Sequence, residues 1–88
     1  MKVLVVYKKE SDHARAVTDW VRDFNRQTGK TIEEVDPETR EGEMFARTYD
    51  VVEYPTLVAV DNDGVVQNVW RGTMLPTISE VSYYVHDS

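Results

Sequence analysis

Tyr49-Asp50-Val51-Val52-Glu53-Tyr54-Pro55-Thr56-Leu57-Val58-Ala59-Val60 is the stretch that decides the fold of this 88-residue chain. Residues 57–60 are apolar without interruption, the pattern of a central strand buried on both faces. Pro55 has no amide hydrogen to give to a ladder, so its place is at the entry of that strand. Upstream, Met44, Phe45 and Tyr49 mark the inward face of a helix that closes near Tyr49. Downstream, Asp61-Asn62-Asp63-Gly64 reads as a hairpin turn, because these residue types tolerate positive φ. Residues 65–70 then return as a less apolar strand.

Toward the N-terminus, the β-branched run Val3-Leu4-Val5-Val6 predicts a second central strand over residues 2–7. Ser11 is the expected N-cap of a first helix, with Asp12 favourable in its first turn. Val17, Trp20, Val21 and Phe24 share one face of that helix, and Arg15/Asp19 give weak i,i+4 support on the other. Gly29 stops it. Residues 31–35 form a mixed strand, an edge by composition. Asp36-Pro37 fits an N-cap followed by proline at the first helical position of a second helix. Gly42 weakens its early turns by roughly 1 kcal/mol relative to alanine, which moves the expected start toward Glu41. Thr77 and Glu80 form a capping box for a last helix that aligns Ile78, Val81 and Val85. The order is β-α-β-α-β-β-α. A right-handed crossover unit with parallel strands comes first and an antiparallel hairpin follows, with the two apolar strands central and the two mixed strands at the edges.

Residues 1–88 make a single domain at this length. The net charge of −6 offers no basic footprint for phosphates, so neither nucleic acid nor an anionic membrane surface is an expected partner. No apolar stretch approaches the roughly 18 residues of a membrane span. The N-terminal apolar run is too short for a signal peptide and Lys8-Lys9-Glu10 ends it, so the cytoplasm is the expected location. With zero cysteines, disulfides, thiol catalysis, thiolate metal sites and iron–sulfur clusters are excluded. Glu33, Glu34, Asp36, Glu38, Glu41 and Glu43 stand against one Arg40. They have no EF-hand spacing and read as a solvated face. His13 and His86 lack ligand spacing, so no metal and no cofactor is expected.

The element order, together with the segment 49–57, Gly64 and Gly72, resembles the minimal thioredoxin-like fold of the glutaredoxin type. That resemblance implies an α/β domain with a four-stranded mixed sheet and helices on both faces. It also implies that Pro55 is cis. Relatives carry a Cys-x-x-Cys pair at the start of the first helix. The matching positions here are Ser11, Asp12, His13 and Ala14, so both sulfur positions are lost and only the histidine of the third slot remains. Serine forms no exchangeable disulfide, and no thiol–disulfide oxidoreductase activity, nor any other catalysis, is expected.

In redox relatives the backbone beside the cis proline pairs with an extended peptide, a small-scale β-augmentation. The resemblance therefore places a candidate peptide-binding surface at Tyr7, Ser11, His13, Tyr54, Pro55, Thr56, Thr73 and Met74, with Gly72 and Leu75 in the same loop. The expected function is a non-catalytic protein- or peptide-binding module, monomeric or weakly dimeric. Two alternatives stand beside it. One is a glutathione-like small-thiol binder or enzyme in which Ser11 orients the sulfur, although no carboxylate clamp is identifiable. The other is a structural subunit that assembles through an edge strand, with Trp70 as a contact.

Overall fold

Strand β1 (Lys2–Val6) is buried at every position after Lys2, and β3 (Thr56–Val60) is buried throughout. A strand buried on both faces needs hydrogen-bonding neighbours on both sides, and both strands have them. The structure is a computed structural model that describes residues 1–85; His86 lies outside the described residues. Strands β2 (Glu33–Val35) and β4 (Val66–Arg71) complete a four-stranded sheet in the order β2-β1-β3-β4. β1 runs parallel to β2 and antiparallel to β3, and β3 runs antiparallel to β4. The apolar strands are central and the mixed strands are edges, because only the central pair must satisfy an apolar environment above and below.

Alternation along the strands divides the core in two. Val3, Val5, Leu57 and Ala59 face α1 (Ala14–Thr28) and α3 (Ile78–Ser82), meeting Val17, Phe24 and Val81. Leu4, Val6, Val58 and Val60 face α2 (Arg40–Thr48), meeting Ala46 and Val51. Trp20 stacks on Phe24 at 5.3 Å and donates its indole N–H to the Pro76 carbonyl at 2.8 Å, which ties α1 to the approach to α3. Gly29 ends α1 in the left-handed conformation, φ 72. Among the described residues no helix is long and apolar enough to cross a membrane.

The helix starts depart from the sequence reading. Ser11 does not cap α1: its hydroxyl donates back to the Lys8 carbonyl at 2.5 Å instead of accepting a helix N–H. Residues 11–13 form a turn, His13 takes the cap position without a side-chain bond to a helix N–H, and Asp12 falls outside the first helical turn. Asp36 likewise caps a turn, accepting the Glu38 N–H at 2.9 Å, while Thr39 is the cap of α2 through the Gly42 N–H at 3.0 Å. Asp19 pairs with Arg22 at 3.0 Å, not with Arg15. α2 begins at Arg40, close to the expected start near Glu41; of the expected inward residues Phe45 and Tyr49 pack against the core, while Met44 is 60% exposed and Ala46 is buried. Thr77 accepts the Glu80 N–H as a capping box requires, but the Glu80 carboxylate receives the Trp70 indole N–H at 2.6 Å. Trp70 is therefore engaged within the chain, edge-on to Tyr84 at 5.3 Å.

The end of α2 explains the Tyr49-Asp50-Val51 sequence. The Val51 N–H bonds the Ala46 carbonyl at 2.8 Å, the Asp50 N–H reaches the Arg47 carbonyl at 3.4 Å, and Asp50 takes φ 56. That is a Schellman closure with aspartate in the left-handed position and a buried apolar residue following. The Asn68 amide protects the outer edge of β4. Its Oδ1 accepts the Val69 N–H at 2.8 Å, and its Nδ2 donates to the Tyr84 hydroxyl at 3.2 Å. An edge amide held this way is withdrawn from pairing with a further strand.

Gly42 marks a close approach: a Cβ added there would overlap the Asp36 carbonyl oxygen. Helix propensity alone favours alanine at such a position by about 1 kcal/mol. The steric overlap reverses the sign. Gly42→Ala should lower stability in urea unfolding by about 1–3 kcal/mol, the usual range for forced overpacking.

Candidate functional site

The sheet register gathers the loops that matter at one end. Val6 pairs with Thr56, and Thr56 pairs with Arg71, so the exit of β1, the entry of β3 and the exit of β4 lie side by side. The Gly72 N–H extends the β3–β4 ladder by one bond, to the Pro55 carbonyl at 2.9 Å. The Tyr54–Pro55 peptide bond is cis. The Thr56 hydroxyl donates to the Glu53 carbonyl at 2.7 Å and pins the turn just ahead of Pro55.

An open groove of ≈ 300 Å³ occupies this end of the molecule. It is lined by Asp12, His13, Ala16, Val17, Pro55, Thr73 and Leu75. The start of α1 supplies one wall, the Pro55 turn the floor, and the loop after β4 the other wall. Short bonds fix the first wall: Ser11 Oγ to the Lys8 carbonyl, the Lys8 N–H to His13 Nε2 at 3.3 Å, and the Ala14 N–H to the Ser11 carbonyl at 3.2 Å. With Nε2 as acceptor, the neutral imidazole carries its proton on Nδ1.

The expected surface residues divide between this groove and its surroundings. His13, Pro55 and Thr73 line it, together with Asp12 of the degenerate motif. Met74 stands beside it, 90% exposed. Thr56 is fully buried and its hydroxyl is already engaged. Tyr54 is half-buried against the α2-side core, with the Lys8 ammonium 5.3 Å from its ring centroid. Ser11 is absent from the lining, its hydroxyl turned back on Lys8. Ala16, Val17 and Leu75 complete the groove. Val17 reads as core from its helical spacing, and a single alanine at position 16 carries no signal of its own.

Tyr7 points elsewhere. It is buried, and its hydroxyl donates to Glu34 Oε1 at 2.5 Å across the β1–β2 edge. Burial pushes its pKa up to about 12, helped by the hydrogen bond to Glu34 and by the negative charges of Glu34 and Asp36. The folded state therefore holds this proton more tightly than the unfolded chain, whose tyrosine titrates near 10. The resulting stability is complete below about pH 10 and is lost as pH rises toward about 12, a difference of about 2–3 kcal/mol. Urea unfolding of wild type and Tyr7→Phe across that window should show the phenylalanine variant losing less stability, by about that amount.

The acidic run surrounds a separate open depression of ≈ 440 Å³ lined by Glu33, Glu34, Asp36 and Glu41 with Val35, Thr39, Gly42 and Phe45. Among the described residues no three histidine, aspartate or glutamate side chains converge as metal ligands do.

Solved structures with the same architecture include two thioredoxins and a malarial protein. Thioredoxin 1 of the thermophilic eubacterium Thermosipho africanus matches at a TM-score of 0.68 with 18% identity, over 96% of this chain and 89% of that one. The oxidized form of mitochondrial thioredoxin 3 of Saccharomyces cerevisiae also reaches 0.68, with 15% identity over 92% of this chain and 72% of its own. A malarial protein gives 0.68 at 16% identity, with 96% of each chain covered. No protein-family model and no curated protein sequence matches the chain. At such identities the likeness establishes the fold: this is a thioredoxin-like domain. It is a cysteine-free one, with no thiol to exchange with a disulfide.

The Ala14 N–H bond to the Ser11 carbonyl closes an i,i+3 turn. Cα atoms across such a turn stand less than about 7 Å apart, which overlaps disulfide range. Ser11→Cys with Ala14→Cys should oxidise to an intramolecular disulfide, read as loss of two free thiols on mass labelling. A less acidic thiol pair than in typical relatives is expected, since Asp12 disfavours a neighbouring thiolate.

Proposed function

We propose that this domain is a non-catalytic protein- or peptide-binding module whose groove beside Pro55 takes an extended segment. The observation that carries this reading is the groove itself. Ala16, Val17, Pro55 and Leu75 give it an apolar lining, and it is open to solvent at the end where three loops converge. Open concave apolar surface with a few polar groups at its rim is the usual form of a binding site. Exposed Met74, between the lining residues Thr73 and Leu75, adds adaptable apolar area.

The backbone of Tyr54 supports the reading further. Among the described residues neither its N–H nor its carbonyl has a backbone partner in the turns, caps and loops, which is a requirement for pairing with an added strand. Ser11 outside the groove gives no support to a small-thiol site, and Asn68 on the Val69 N–H weighs against assembly through β4.

Selection of random ten-residue peptides on the immobilised domain, followed by amide-shift mapping, tests this function. Selected peptides should shift Tyr54, Thr73 and Leu75. Ala16→Arg, which fills the groove from an exposed helix position, should weaken them by at least about tenfold, the loss of one buried apolar contact. Peptides that bind Ala16→Arg at full strength, or that shift only other residues, would remove the groove from the account.

A further inference from the structure

Given that the groove is a binding surface, we infer that its occupant is an extended segment pairing an aliphatic side chain with a lysine or arginine, the cation meeting Asp12. Asp12 is the one aspartate, glutamate, lysine or arginine in the lining. Its carboxylate is exposed and has no hydrogen bond or ion pair among the described residues. The loop that carries it is fixed by the Ser11, His13 and Ala14 bonds, so the charge is held at the rim without being neutralised there. The other lining groups are apolar apart from the Thr73 hydroxyl and the His13 ring, whose Nε2 is occupied by the Lys8 N–H.

Partner choice follows from sign as well as shape. An acidic residue set beside Asp12 is repelled, and a chain of net charge −6 slows the approach of acidic partners. A basic residue gains at both stages, while Ala16 and Leu75 on the two walls of the groove offer apolar surface to an aliphatic neighbour.

The local carboxylate must be separated from the general field of an acidic protein. Asp63 gives that control. It lies in the β3–β4 hairpin beyond the far end of the five-residue strand β3 that begins at Thr56. Five strand residues span about 16 Å, roughly two screening lengths at physiological salt. Asp12→Asn and Asp63→Asn thus remove the same charge near the groove and far from it.

The test is peptide selection on wild type, Asp12→Asn and Asp63→Asn in parallel. The best wild-type peptide is then titrated beside a version with lysine or arginine replaced by glutamine. Wild type and Asp63→Asn should enrich basic residues and lose roughly two- to fivefold in affinity with the glutamine peptide, as expected of an exposed ion pair. Asp12→Asn should show neither effect. Peptides that map to the groove without a basic preference, or keep it on Asp12→Asn, would overturn this inference and leave the binding function standing. A selection that enriches no peptide overturns both.

Discussion

Strand β3 is hydrogen-bonded on both sides and buried on both faces, and the rest of the molecule is arranged to make that tenable. Five consecutive residues, Thr56 to Val60, meet solvent nowhere, so β1 and β4 must satisfy every backbone group and helices must cover both faces. α1 and α3 lie on one side and α2 on the other because Leu57 and Ala59 alternate with Val58 and Val60. The ladder runs one bond past the strand, to the Pro55 carbonyl. The Pro55 turn is therefore an extension of the most buried element, and a groove floored by it inherits that rigidity.

The same register creates the site. Antiparallel pairing on both sides of β3 brings the end of β1, the start of β3 and the end of β4 to one edge of the domain. Three segments far apart in sequence, around residues 12, 55 and 73, then share one groove. Function in such a scaffold resides in what those loops carry. Here they carry Ser11 and Ala14 at the two positions where the resemblance puts the sulfurs, with Asp12 between them, on a loop closed by its own hydrogen bonds. The cysteine-free groove between the loops combines an apolar lining with one exposed carboxylate, Asp12.

Local and tertiary signals disagreed most at the helix starts. Ser11 and Asp36 both have strong capping propensity, and both spend it on turns that precede the helix. Propensity identifies a residue that will bond a nearby backbone group, but the path of the chain chooses which group. Gly42 shows the same limit. It reads as a weak point of α2 and is in fact required where the Asp36 carbonyl crosses the helix. Tyr7 reads as part of the binding surface, whereas, just past the end of β1, its hydroxyl donates to Glu34 on the neighbouring strand β2.

Strand identity, strand order and the hairpin were legible in the residues alone, because an apolar run, an alternating run and an Asp-Asn-Asp-Gly turn each have one economical conformation. The absence of thiol chemistry was equally legible, since it follows from composition. The lining of the groove was not, apart from Pro55 and the neighbours that resemblance implied. Ala16, Val17 and Leu75 look like any small or apolar residues until the register of β3 sets the loops side by side. Local sequence specifies which backbone conformation is cheap; only the packing of distant segments decides which side chains remain uncovered between them.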